Sequence, residues 1–200
     1  MVACSQYWVW NTFGPIVTSV HYAYGWTEVS FAWMPNWGTL TFVIFIIPFS
    51  YLLERFGLRF MIVLITILIQ IGAVFRIISN DDYYFLVFAH TGSILNGIAG
   101  ATVMSAPPVL SSIWFPPEQR ILATSIGQVF TQVGTGLSFS IGPHMLARNE
   151  NITKIGIDRV KLDIQKYLII VSSCVTVVLI LVVMTFCSKP PTPPSGTIHK

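Results

Sequence analysis

Long apolar runs separated by short polar breaks dominate the chain. Read in order, they predict six helices at about 1–20, 36–53, 60–78, 84–108, 121–146 and 167–186. Each is close to the roughly 20 residues a helix needs to cross the hydrocarbon core of a bilayer. The sharpest break is the decapeptide from Ser50 to Arg59, which sets Glu54, Arg55 and Arg59 between two uncharged flanks, 35–53 and 60–75. It reads as a tight hairpin held at one membrane face. Gly57 can take a left-handed, helix-ending conformation there, and Arg59 opens the next helix. From these ten residues alone, an ordinary positive-inside loop is an equal reading.

The first run contains Trp8-Val9-Trp10-Asn11-Thr12-Phe13-Gly14-Pro15-Ile16. Asn11 and Thr12 at mid-membrane are costly unless they face a bundle interior or a cavity. Gly14-Pro15 interrupts the helix ladder beside them, which neighbouring helices or water must compensate. A segment lining a cavity and simple helix packing both account for the pattern. His21 to Phe31 reads as a polar loop, Pro48 as a kink, and Trp37 as an interfacial anchor. Arg76, just before Ser79-Asn80-Asp81-Asp82, is expected to snorkel to the surface and pair with an Asp.

The fourth run is rich in small residues, and Gly97 to Ala101 gives a spacing that lets helix backbones approach closely. Pro107-Pro108 should kink or end it, and Trp114 to Arg120 forms the next turn. His90 and Asn96 are six apart and do not share a face; His90 reads as a satisfied histidine at a helix interface rather than a proton site. In the fifth run Gln128, Thr131 and Gln132 fall on one stripe, which needs partners on another helix or in a water-filled cavity. The sixth run is β-branched and nearly featureless, as suits a lipid-facing helix. A hydrophilic loop, 148–166, carries the sequon Asn151-Ile152-Thr153, and a proline-rich linker occupies 188–200.

Composition agrees with a membrane chain: 54% of residues are hydrophobic and 10% charged, against about 25% charged in soluble domains. A net charge of +3 without a basic cluster gives nucleic acid no footing. Cys4, Cys174 and Cys187 lie in apolar segments without paired spacing and read as small core residues. The apolar start lacks a basic n-region and a small-residue cleavage site, so it is no signal peptide; a truncated N-terminus is expected. Among the short loops, Arg55, Arg59 and Arg120 lie on one side and Arg76 on the other. With the sequon on the opposite face, this places the N-terminus in the cytosol.

The small-xxx-Glu-Arg-Phe-Gly-Leu-Arg pattern ending at Arg59 resembles the loop between helices 2 and 3 of the major facilitator superfamily. Glu54 stands where Asp is commoner and Leu58 where a basic residue is usual. Longer stretches, Trp10 to Ile16, Pro35 to Gly38, Leu53 to Arg59 and Leu95 to Met104, are similar to the solute carrier 49 family; Ala101 replaces a proline expected in that last motif. The resemblance implies an all-α membrane protein whose 1–187 forms one six-helix half (a 3+3 inverted repeat) of a twelve-helix bundle. It implies proton-linked export of a small organic solute and, as partners, the lipid bilayer and a missing C-terminal six-helix half. One lysosomal member of that family is associated with pyridoxine, and its relatives with choline, ethanolamine or haem, so a lysosomal membrane is preferred to the plasma membrane. Trp10 would present an aromatic face to the substrate. The candidate substrate path is Trp10, Asn11, Thr12 and Asn96, with Gln128, Thr131 and Gln132 opposite. Glu54, Arg55, Gly57 and Arg59 form the gating loop, Asn151 carries the glycan, and no cofactor or metal is implied.

An intramembrane enzyme is the rival class. The chain has no His-Glu-x-x-His, no Gly-x-Ser-x-Gly and no carboxylate pair within a span. A haem-binding module would have to use His21, His90 or His144, which lie far apart near span ends. A half-bundle with no transport activity of its own is the remaining alternative.

Overall fold

The computed structural model describes residues 1–146 and 156–187. The sequon at Asn151 and the linker 188–200 lie outside the described residues. Within them every regular element is helical: α1 (Val2–Trp10), a 3-10 turn (Gly14–Ile16), α2 (Val17–Tyr24), α3 (Glu28–Phe75), α4 (Asp82–Trp114), a second 3-10 turn (Pro117–Gln119), α5 (Arg120–Met145) and α6 (Ile157–Thr185). Three of them, α3, α4 and α6, are long and apolar enough to cross a membrane.

Unbroken, the 48 residues of α3 would stretch over about 72 Å. The helix is broken at Gly57, whose φ of 81° and ψ of 170° lie in a region open to glycine. This is an extended left-side conformation and not the left-handed helical one expected from the sequence. It folds the second limb, 58–75, back beside the first, 28–56. Contacts with α4 prove the reversal: Gly38 of the first limb touches Gly97, and Gly72 of the second touches Gly92. Those two α4 positions are little more than one turn apart.

Glycine makes these approaches possible. An added methyl on Gly97 would stand 2.6 Å from the Cα of Gly38, and one on Gly72 would stand 2.8 Å from the Gly92 carbonyl oxygen. Lipid gives helices no hydrophobic reason to associate, so close backbone packing of this kind holds them together. α5 meets α1 in the same manner, with Gly134 against the Cys4 backbone.

The connection between α2 and α3 is shorter than the expected loop. α2 continues to Tyr24 and is closed by Gly25 in a left-handed conformation (φ 63°, ψ 23°), whose N–H returns to the His21 carbonyl. Thr27 then caps α3 by accepting from the Ser30 N–H at 3.3 Å. α4 runs through Pro107 and Pro108 to Trp114, so the proline pair does not end it. Arg120 closes that helix by donating to the carbonyls of Phe115 and Ser112 at 3.2 Å each.

An aromatic plug fills the end where α2, α3 and α4 meet. Tyr24 stacks on Phe85 at 4.3 Å, Trp26 lies 5.1 Å from Phe85, and Phe13 lies 5.3 Å from Trp26. Above it Lys161 pairs with Asp82 at 2.6 Å and covers the Tyr24 ring at 4.8 Å. At the opposite end Arg59 donates to the Val183 carbonyl at 3.4 Å. α6 turns Val177, Ile180 and Met184 outward, the face expected to meet lipid.

Candidate functional site

α1 stops at Trp10, and the chain runs through Asn11 to Phe13 before a single 3-10 turn at Gly14–Ile16. Pro15 has no N–H for the Asn11 carbonyl, and beyond Trp10 the ladder gives way to shorter bonds, from the Thr12 N–H to the Val9 carbonyl and from the Gly14 N–H to the Asn11 carbonyl. Other elements also donate to these carbonyls: Ser138 of α5 donates to the Asn11 carbonyl at 2.7 Å, and Arg76 donates to the Val9 carbonyl at 2.6 Å. Arg76 is 3% exposed. The expected surface pairing with an Asp is therefore corrected. The end of α1 offers the guanidinium the Val9 carbonyl, and Gly92 leaves room for it to turn inward.

A cleft of about 190 Å³ opens beside this break. Gln6, Tyr7 and Trp10 of α1 line one wall, Thr39 and Phe42 of α3 another, and Gly100 and Met104 of α4 the third. The Trp10 indole lies against Gly38 and within 3.6 Å of where a methyl on Gly100 would stand. Tyr7 donates to the Met104 sulfur at 3.4 Å.

Behind the wall Gln6 and Asn96 form a reciprocal pair. The Gln6 amide donates to the Asn96 carbonyl and the Asn96 amide to the Gln6 carbonyl, both at 3.4 Å. Both side chains are 1% exposed. Their oxygens, Gln6 Oε1 and Asn96 Oδ1, have no partner. Both oxygens are enclosed and lie behind the cleft wall, not on its surface. No carboxylate lines the cleft, so the π faces of Tyr7, Trp10 and Phe42 are what it offers a cation.

The residues expected from the sequence are placed as follows. Trp10 lines the cleft and Asn96 lies just behind it. Asn11 turns toward α5, donating to the Tyr7 carbonyl at 2.9 Å and to Thr135 at 3.4 Å. Thr12 is enclosed, its hydroxyl satisfied by the carbonyls of Trp8 and Val9. The α5 stripe divides: Thr131 is buried and donates to the Gln128 carbonyl, while Gln128 and Gln132 face outward. Glu54, Arg55 and Arg59 are exposed at the Gly57 hairpin. Sequence reasoning missed Gln6, Tyr7 and Met104. Gln6 had a legible signal, a buried-type amide four positions before Trp10 and hence on the same helix face.

The histidines are scattered. His90 accepts from Trp37 Nε1 at 3.0 Å, His21 meets the Trp26 carbonyl, and His144 meets the Ser140 carbonyl. Among the described residues there is no group of three His, Cys, Asp or Glu side chains able to hold a metal.

The family model for the Major Facilitator Superfamily matches residues 1–200. The chain belongs to the major facilitator superfamily. Superfamily members carry small molecules across membranes, so this chain is an integral membrane protein of a transporter family. It is 31% identical over 98% of its length to the Xenopus laevis protein named Solute carrier family 49 member 4 homolog, covering 44% of that protein. It is 26% identical over 93% of its length to the human Choline/ethanolamine transporter FLVCR2, covering 34% of it. The chain thus spans less than half the length of these superfamily relatives.

Proposed function

We propose that this chain forms the N-terminal six-helix half of a solute carrier 49-type transporter and contributes one wall of its substrate site. The six spans are α1 with α2, the two limbs of α3, and α4, α5 and α6, arranged as a 3+3 inverted repeat. A second half completes the path, and the site lies between halves near mid-membrane. The observation that carries this reading is the Trp10 indole in an open cleft that Tyr7 and Phe42 also line. An indole binds a flat ring or a cation. Asn11, Thr12 and Thr131 hold this wall from behind, while Gln128 and Gln132 face the second half.

The substrate is a small organic solute of the pyridoxine kind, exported from the lysosome with protons. None of the cleft residues is a carboxylate or histidine, so proton coupling belongs to the second half. Choline or ethanolamine is the second reading, favoured by the printed name of the FLVCR2 relative and by the fit of an indole to a quaternary ammonium.

Radiolabelled pyridoxine and choline, offered separately to the chain in lipid nanodiscs, test both. Saturable binding of one, weakened about five- to thirty-fold by Trp10→Ala and less by Trp10→Phe, is the expected result. Binding unaffected by Trp10→Ala removes the cleft from the substrate path.

A further inference from the structure

Arg76 is the only charged side chain in the buried core among the described residues. No carboxylate there lies within ion-pairing distance of it. Burying a charge costs several kcal/mol unless something compensates. Here the compensation is the open end of α1. Nη1 donates to the Val9 carbonyl at 2.6 Å and Nη2 to Ser93 Oγ at 3.2 Å. The guanidinium also lies over the Phe13 ring at 5.1 Å. Val9 is in the last turn of α1, where the negative end of the helix dipole attracts a cation; its carbonyl also accepts from the Thr12 hydroxyl at 2.9 Å and the Thr12 N–H at 3.4 Å, so Arg76 shares it.

Clearance for this reach is built into the neighbouring helix. A methyl on Gly92 would stand 3.1 Å from Arg76 Nε and 3.3 Å from its Cγ. The same methyl would stand 2.5 Å from the Gly72 carbonyl oxygen, so the bare Gly92 serves the α3–α4 contact as well as the arginine.

We infer that Arg76 is a positioning residue for the Trp10 cleft, and that Gly92 is the clearance it needs. By holding the Val9 carbonyl it sets where α1 ends, and so where Trp10 and Asn11 stand one and two residues later. Its consequence for solute binding rests on the proposed function; its effect on the break does not.

The test uses the 200-residue chain labelled with 5-fluorotryptophan in nanodiscs, read by fluorine NMR. Its six tryptophans give six resonances, with Trp10 identified as the one lost in Trp10→Phe. Arg76→Met should shift the Trp10 resonance and leave Trp33 and Trp114 in place. Arg76→Lys, which keeps a charged donor, should return it toward wild type. In the same samples Arg76→Met should weaken choline or pyridoxine binding about tenfold, with Arg76→Lys intermediate.

A Trp10 resonance unmoved by Arg76→Met overturns the inference. So does a collapse of all six together in a folded sample, since the arginine would then serve the whole bundle. If Arg76→Met does not fold, Arg76→Gln, a shorter and neutral donor, poses the question, and an unmoved Trp10 there also overturns it. Failure of both solutes to bind wild-type protein would sink the solute reading, while the fluorine shifts would still decide the role of Arg76.

Discussion

The indole of Trp10 lies flat against Gly38, so close that a methyl on that glycine would stand 2.5 Å from Cζ2 and 2.7 Å from Cζ3 of the ring. Gly38 is therefore the floor on which the aromatic wall of the cleft rests. Gly38→Ala should lift the indole and weaken binding of the cognate solute as much as Trp10→Ala does, about five- to thirty-fold. Equilibrium binding in nanodiscs measures this. Wild-type affinity in Gly38→Ala would show that the ring position is irrelevant to the ligand.

Gly57 carries a different requirement. Nothing lies within 4 Å of a methyl added there, but its φ of 81° excludes side chains at ease. Gly57→Ala should cost about 1–3 kcal/mol through backbone strain alone. Gly136, which also faces open space but is helical, supplies the control: Gly136→Ala should be neutral or slightly stabilising. Thermal unfolding in detergent compares them, and equal melting points for both variants would remove the strain argument.

The hairpin charges are expected to act on conformation. Arg55 is exposed and donates to its own helix at Tyr51 at 3.2 Å, while Arg59 reaches the end of α6. Neither approaches the Trp10 cleft. In a twelve-helix form containing this chain, Arg55→Ala should lower uptake of pyridoxine and choline by a similar factor. A change in their ranking would bring the hairpin into the substrate site.

Orientation is tested at Asn151. Expression in a glycosylating cell should yield a band that drops on glycosidase treatment, and Asn151→Gln should abolish the shift. Identical migration of the two proteins with and without enzyme would deprive the cytosolic placement of the N-terminus of its main support.

Much of the helix plan was legible because its causes are local. Asn11-Thr12 beside Gly14-Pro15 carries its own instruction to break, and the chain breaks there. The charges around Gly57 and the need for positive φ lie within one decapeptide, so the reversal of α3 could be read without knowing what it packs against. The conformation of Gly57 differs from the left-handed helical one the sequence suggests, because several backbone states satisfy the same need. The loop after α2 is shorter than its polar residues suggest, because the Gly25 closure and the Thr27 cap let both helices continue through them.

Side-chain destinations were harder. The stripe of Gln128, Thr131 and Gln132 follows helical periodicity, yet the structure buries only the threonine: periodicity assigns residues to one side of a helix but not to the neighbour that side will meet. Gln6 and Met104 joined the cleft because α1 and α4 cross there, and a crossing point is a property of pairs of helices.

Arg76 marks the boundary most clearly. Apolar runs, small residues and helix breakers determined, from the sequence alone, an all-helical membrane chain interrupted at Gly14-Pro15 and Gly57. Whether Arg76 turned toward water or inward depended on the tertiary structure, which brought the carbonyl of Val9 within 2.6 Å and kept Gly92 bare. The arginine's shortest hydrogen bond is to an acceptor 67 residues away in the chain, beyond the reach of any local pattern.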